Sequence, residues 1–223
     1  MFNVIKFITF AQDAGQDDRT RLVGLLEAAP GLDLGIVNAR LQPTLAGSHS
    51  GGDLIWRLQF ADERAYRACI QRPDWRRIDR ALTADMISNL DTAAYLQEAQ
   101  GLSEPSIKNG VYRALLLTTR PGVSAAQLAQ YESEQREMAL YMPTIRNWAL
   151  NRVVDGGGAR RWDYVWEQEF QDYDQWNRSY MAHPYHWARI HRWFDPESTD
   201  WIHDPWYALC LCRFEDSILS GKA

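Results

Sequence analysis

Four side chains that can take part in proton transfer lie close together near the end of this chain. The stretch "SYMAHPYHWARIHRWF" (179–194) contains Tyr180, His183, His186 and His191, although the 223-residue chain has only five histidines. A neutral imidazole can accept a proton near pH 7, and a phenolic O–H can donate to a developing oxyanion. A His/Tyr pair of this kind suits enolisation, aldol or retro-aldol reactions, and elimination.

The single proline of this stretch predicts how the side chains are placed. Pro184 keeps His183 out of the α-helical region and is itself favoured as the first residue of a helix. His183 would then cap the helix and His186 would lie in its first turn, where the positive end of the helix disfavours imidazolium. We predict His186 as the base, Tyr180 as its hydroxyl partner and His183 as an orienting or second acid–base group. The structural alternatives are a buried histidine bonded to a carbonyl, a core-filling tyrosine and a capping residue.

Aromatic side chains and one loop histidine are the predicted contacts with a substrate. The chain has ten Trp and ten Tyr, and most of the Trp residues lie in its second half. Such residues fill cores, and they also line pockets for flat aromatic ligands. We predict Trp162, Trp166 and Tyr185 as pocket walls, with alternation along the strand deciding which Trp points inward. His49, in the Gly-rich turn "AGSHSGGD", is predicted as a further contact with a small aromatic substrate.

The same residues argue against a metal site. The histidine spacings lack the Glu of a zincin, and no Cys/His cluster completes four ligands. Cys210 and Cys212 alternate in an apolar strand, which indicates buried thiols. We therefore predict no metal and no cofactor. A haem enzyme needs only one axial histidine, so that option stays open.

The chain contains an internal sequence repeat. "DLIWRLQFADERAY" (53–66) aligns without a gap to "DYVWEQEFQDYDQW" (163–176), and "RPDWRRIDR" (72–80) corresponds to "HPYHWARIHR" (183–192). Only the second copy of this segment carries histidines, in the order His-Pro-x-His. We therefore expect one working pocket, with the other half kept for architecture.

Each copy predicts the element order β-α-β-β-α-β, which is the ferredoxin-like unit. Apolar alternation in "VIKFITF" indicates a first strand, and "AAYLQEA" (93–99) and "WYALCLCRFED" (206–216) are the predicted closing strands. Two such sheets can close face to face, so we predict an α+β fold in which two repeats form a pseudo-dimeric α/β barrel. The predicted domains are a first repeat over 1–101, a linker over 102–110 and a second repeat over 111–223.

The second copy resembles the stress-responsive dimeric α/β-barrel (Dabb) family. The resemblance lies in "YVWEQEFQDYDQWNRSYMAHPYH" (164–186), which has a strand, Phe-x-Asp, a helix, and then a Tyr followed by His-Pro-x-His. The His-Pro-x-His region is similar to that of members resembling olivetolic acid cyclase, a cofactor-free enzyme. That resemblance implies Tyr180 and His186 as an acid–base pair. Other relatives on this barrel include cofactor-free monooxygenases and haem enzymes, so the fold does not choose the chemistry.

The composition of the chain limits the classes of partner that it can bind. The net charge of −5 gives no basic surface for nucleic acid, and no apolar run reaches the roughly 18–20 residues that span a bilayer. Three cysteines, an odd number, indicate reduced thiols and a cytoplasmic protein. Association of two chains as a homodimer stays open.

The expected function is that of a cofactor-independent lyase or cyclase acting on a phenolic or other aromatic small molecule. Retro-aldol loss of a small aldehyde and aldol-type ring closure are both consistent with the His/Tyr pair. The alternatives are a cofactor-free monooxygenase of aromatic substrates and a non-catalytic stress or ligand-binding barrel.

Overall fold

Two five-stranded antiparallel sheets form the framework of the molecule. The structure is a computed structural model and describes residues 1–221, so the last two residues of the predicted second repeat lie outside the described part. The strands are β1 (Phe2–Phe10), β2 (Ile36–Pro43), β3 (Leu54–Phe60), β4 (Ile87–Leu96), β5 (Ala99–Leu102), β6 (Lys108–Leu117), β7 (Asn147–Arg152), β8 (Asp155–Gly157), β9 (Tyr164–Phe170) and β10 (Ala208–Asp216).

Helices cover one face of each sheet. They are α1 (Gln16–Ala28), α2 (Glu63–Cys69), α3 (Pro73–Leu82) and α4 (Ala125–Tyr141). In the second half, the places of α2 and α3 are taken by two π-helical segments, Gln175–Tyr180 and His186–Ile190, and the latter runs into a 3₁₀ turn at His191–Trp193. Within residues 1–221, none of the helices has the length and apolar character needed to cross a bilayer.

Both halves use the same strand order, which confirms the predicted α+β fold of two ferredoxin-like repeats. The first sheet runs β2-β3-β1-β4 and the second runs β7-β9-β6-β10, with the two orders equivalent position by position. Each sheet gains a fifth strand from beyond its own repeat unit. Strand β8, from the second half, pairs with β4, and β5, from the end of the first, pairs with β7. The two halves are therefore joined by backbone hydrogen bonds at their edges.

Alternation along the strands divides the apolar residues among three cores. One core lies between the first sheet and α1 and α3, and includes Trp56 and Trp75. A second fills the space between the two sheets, and a third lies between the second sheet and the helical segments that cover it. The outer face of the second sheet, rather than the space inside the barrel, is the layer in which the predicted acid–base pair lies, because Tyr180 belongs to the third core.

A buried polar cluster links the two sheets inside the barrel. Arg57 Nε donates to Glu167 Oε1 over 2.8 Å, and the hydroxyls of Tyr95 and Tyr112 donate to the same carboxylate at 2.7 and 2.6 Å. Burial, and then the charge of Glu167, raise the pKa of both tyrosines, so their phenols stay protonated donors. Arg57 and Glu167 occupy corresponding positions of the repeat, since the gap-free alignment pairs Trp56 with Trp166.

The loop after β2 crosses from the first half to the second and docks on β10. The backbone of His49 exchanges two hydrogen bonds with Leu209, at 2.8 and 2.7 Å. Glycine is needed beside this contact, because a Cβ on Gly51 would lie 2.3 Å from the Leu209 carbonyl oxygen. The Gly-rich turn is therefore a docked strap that holds His49 against the second half.

Candidate functional site

A cavity of about 500 Å³ lies between the outer face of the second sheet and the π-helical segments. Its walls come from both halves of the chain. The lining residues are Gly47, His49, Arg113, Leu115, Gln135, Trp166, Trp176, Tyr180, Met181, His186, Trp187, Ile190, His191, Phe194, Tyr207 and Leu209. The cavity therefore brings together His186, Tyr180, His49 and Trp166 of the predicted site.

The first copy of the repeat fills the equivalent space with an indole. Trp75 stacks on Trp56 with ring centroids 5.8 Å apart and an interplanar angle of 13°. Trp56 corresponds to Trp166, and Trp75, two residues after a proline, corresponds to His186. Replacing the larger indole by an imidazole leaves room beside Trp166, which explains why the cavity belongs to the second copy.

An extra residue in the second copy changes the helix that carries His186. The span from Pro184 to the buried Ile190 is one residue longer than that from Pro73 to the buried Ile78. A π-helical turn accommodates one additional residue within a helix, and such turns are frequent at functional sites. The π-helical segment His186–Ile190 therefore marks the point where the second copy departs from the packing of the first.

Tyr180 and His186 are neighbours on the cavity wall. Their ring centroids lie 4.9 Å apart in an edge-to-face arrangement. Burial, and then the positive charge of Arg113, lower the pKa of His186 to about 4, so the imidazole is neutral at pH 7. Within residues 1–221, His186 Nδ1 has no hydrogen-bond partner. A neutral imidazole has one ring nitrogen that can accept a hydrogen bond or a proton.

Arg113 forms a charged part of the wall that the sequence reasoning missed. Its Nη1 donates to Gln168 Oε1 over 2.7 Å, and its Cζ lies 5.5 Å from the Tyr180 ring centroid. The signal was present in the sequence, since "VYRALLLTT" places an arginine inside an apolar strand. The strand register aligns Val4 and Leu58 of the first copy with Arg113 and Gln168.

His49 reaches the cavity from the first half of the chain. Its ring lies 5.2 Å from that of Tyr207, centroid to centroid. The backbone pairing with Leu209 fixes its position, and the loop makes further hydrogen bonds to Leu211 of β10 through Leu45 and Ser48. The site is therefore incomplete without the first repeat.

Three residues of the predicted site lie away from the cavity lining. His183 caps the following helix, with its Nδ1 accepting from the backbone N–H of Tyr185 at 3.2 Å. The Tyr185 ring stacks on Tyr141 and its hydroxyl donates to the Glu134 carbonyl, which turns it toward α4. Trp162 precedes β9, points into the barrel and donates to Asp91 over 3.1 Å.

A buried carboxylate on α4 holds the segment that follows His186. Glu134 accepts from Arg192 Nη2 at 2.6 Å and from Trp193 Nε1 at 2.8 Å. These bonds join the 3₁₀ turn to α4, so the π-helical segment before it has a fixed end. Among residues 1–221, no three His, Cys, Asp or Glu side chains are grouped as a metal ion would require.

His203 supports the cavity wall from behind and should make stability depend on pH. Its fully buried ring stacks on Phe194, with centroids 4.7 Å apart, and burial lowers its pKa to about 3. Because this folded-state pKa lies below the value of about 6.5 in an unfolded chain, only the unfolded state takes up a proton in the pH range between them. The contribution of His203 to the unfolding free energy is therefore complete above pH 6.5 and decreases as the pH falls toward 3.

We expect His203→Phe to lose this part of the pH dependence. Urea unfolding at pH 7 and pH 4 should show a wild-type decrease that exceeds that of the variant by on the order of 3 kcal/mol. The exposed His191, changed to Phe, is the matched control and should keep the wild-type decrease. Equal decreases in wild type and His203→Phe would contradict the prediction.

Several solved structures share the architecture of the whole chain. One is an anthrone oxidase-like protein, with a TM-score of 0.72 and 8% identity over 96% of this chain and 90% of the other. A candidate monooxygenase from Lactobacillus acidophilus NCFM has a TM-score of 0.55 and 11% identity, covering 95% of this chain and 92% of its own. A candidate chlorite dismutase has a TM-score of 0.55 and 14% identity, covering 99% and 95%. At these identities, the likeness establishes the fold alone.

The family comparison concerns the half of the chain that contains most of the cavity. No curated protein matches the chain. Residues 111–203 match the family described as the Stress responsive A/B Barrel Domain, or Dabb. This range includes most of β6 and all of α4, β9 and both π-helical segments. Residues 111–203 of this chain are therefore similar to a stress responsive A/B barrel domain.

Proposed function

We propose that this protein is a cofactor-independent lyase or cyclase that binds a small aromatic molecule in the cavity of its second repeat. His186 acts as the base and Tyr180 as the hydroxyl donor. The observation that carries the proposal is the contact of a neutral, unpartnered His186 with Tyr180 on the wall of a cavity that the first copy fills with Trp75.

The size and lining of the cavity support an aromatic substrate. About 500 Å³ falls within the range of small-molecule sites, which is roughly 300–1,000 Å³. Besides Tyr180, the Trp, Phe and Tyr side chains of the lining are Trp166, Trp176, Trp187, Phe194 and Tyr207. Flat rings pack well against such walls in offset or edge-to-face arrangements.

A retro-aldol step illustrates the chemistry. His186 removes the proton of a β-hydroxyl group, the carbon–carbon bond breaks as the new aldehyde carbonyl forms, and the electron pair moves into the substrate carbonyl to give an enolate. Tyr180 donates a hydrogen bond to that enolate oxygen, and the proton held by His186 returns to the carbon. Run in reverse within one molecule, the same proton transfers close a ring.

A cofactor-free monooxygenase is the second candidate, because two proteins of similar fold are described as a candidate monooxygenase and as anthrone oxidase-like. A binding barrel without turnover is the third. The three differ in whether oxygen is consumed and whether product forms.

A turnover screen distinguishes these candidates. Metal-stripped protein is incubated with phenolic aromatics and polyketide-like compounds, with and without oxygen, and products are followed by mass spectrometry. Turnover that needs no oxygen and is reduced about 10²-fold or more in Tyr180→Phe supports the lyase or cyclase. Turnover that stops without oxygen indicates the monooxygenase, and ligand binding without any product indicates the binding barrel.

A further inference from the structure

We propose that Arg113, oriented by its hydrogen bond to Gln168, forms an anion-binding subsite in this cavity, so that the ligand is an aromatic molecule carrying an acidic oxygen, as a carboxylate or a phenolate. The inference rests on the proposed function only in using the same site. Its test measures binding and requires no turnover.

The burial of Arg113 without a carboxylate is the first observation. Arg113 is 5% exposed, and its only hydrogen bond is the one to Gln168, while Nε has no partner within residues 1–221. Gln168 is a neutral acceptor and cannot balance a guanidinium. A buried charge without a counter-charge is costly, so a site of this kind gains most from a ligand that brings the missing negative charge.

Arg57 provides a comparison within the same protein. It is also 5% exposed, but it is paired with Glu167 at 2.8 Å inside the barrel. Arg113 differs in lining a cavity of about 500 Å³ whose lining contains no Asp or Glu. The protein thus supplies the counter-charge where the arginine is enclosed and leaves it out where the arginine borders open space.

The two copies of the repeat differ in the same sense. Val4 and Leu58 stand in the first copy at the positions of Arg113 and Gln168, and Trp75 fills the space there. The buried arginine and its glutamine partner therefore accompany the cavity. If this charge served only folding, it would have no reason to occur together with the cavity, which is the feature that distinguishes the second copy from the first.

The subsite would also orient a ligand toward the acid–base pair. The Cζ atom of Arg113 lies 5.5 Å from the centroid of the Tyr180 ring, and the His186 ring contacts the same ring. An acidic oxygen bound by Arg113 places the attached ring beside Tyr180. The same anion offsets the charge of Arg113, which is one of the causes that lower the pKa of His186, so the bound ligand strengthens the base.

The test compares naphthalene ligands that differ in their polar group, by isothermal titration calorimetry at pH 7. The probes are 1-naphthoate, its neutral amide 1-naphthamide, and 1-naphthol, whose binding as phenolate would release a proton that buffers of different ionisation enthalpy detect. Wild type is expected to bind naphthoate about 10- to 100-fold more tightly than naphthamide, as a charge-assisted hydrogen bond predicts, or to bind naphthol with release of a proton. In Arg113→Met this advantage should fall below about twofold, with naphthamide affinity unchanged.

The controls separate this inference from the proposed function. Arg213→Met, on neighbouring β10 and exposed, removes the same charge and should keep the wild-type preference. Arg113→Lys should retain part of it, which guards against misfolding of the Met variant. Equal affinity for naphthoate and naphthamide in wild type together with naphthol bound without proton release, binding of none of the probes, or a preference that survives in Arg113→Met overturns the inference. A preference lost in Arg113→Met but kept in His186→Ala supports it whether or not turnover is found.

Discussion

His186→Ala is expected to lower kcat about 10²- to 10⁴-fold on any substrate that the protein turns over, with KM changed much less. The imidazole lies on the cavity wall against Tyr180 and is neutral at pH 7, so its removal deletes the group that takes the proton. Steady-state kinetics at pH 7 provide the measurement.

Chemical rescue makes the assignment specific. The variant opens additional space next to a cavity that already exists, so added imidazole should restore part of kcat if His186 acts as a base. Arg178→Ala is the matched control, because it lies in the preceding π-helical segment and its side chain is 80% exposed. An unchanged kcat in His186→Ala would show that this histidine is not the base.

Glu167→Ala is expected to lower the unfolding free energy by about 3–5 kcal/mol. The carboxylate is fully buried and accepts from Arg57, Tyr95 and Tyr112. Its loss leaves the guanidinium of Arg57 charged and unpaired between the two sheets. Urea unfolding followed by tryptophan fluorescence gives the difference.

Two variants test the physical reason. The double change Arg57→Met and Glu167→Met should recover most of the lost stability, because it removes both charges together. Glu63→Ala removes an ion pair whose carboxylate is 52% exposed, so it should cost no more than about 1 kcal/mol. A Glu167→Ala variant as stable as Glu63→Ala would show that the buried cluster is energetically neutral.

The fold could be predicted from the sequence because the repeat and the strand pattern are local signals. The predicted closing strands "AAYLQEA" and "WYALCLCRFED" overlap β4 (Ile87–Leu96) and β10 (Ala208–Asp216). The exchange of β5 and β8 between the halves was not foreseen, since edge pairing depends on how two distant segments meet. The predicted boundaries at 101 and 111 stay a prediction, although β5 (Ala99–Leu102) pairs with the second sheet.

The candidate site could be predicted from the sequence only in part. The residue types and the proline placed His186 and Tyr180 near each other, and the structure brings them together in one cavity. Alternation could not place Trp162, because it precedes β9 and strand geometry does not apply there. The difference between Trp75 and His186 becomes informative only when the packing on Trp56 and Trp166 is known.

Arg57 and Glu167 also determine which halves can pair. They stand at corresponding positions and contact each other, so they lie on the approximate twofold axis of the barrel, where identical subunits would bring each residue against its own copy. Two first halves would face Arg against Arg, and two second halves Glu against Glu, each with like charges in a buried site. Fusion into one chain permits opposite charges at this position. It thereby makes each half a complement of the other and a poor partner for itself, and it leaves the second half free to carry a cavity that the first need not reproduce.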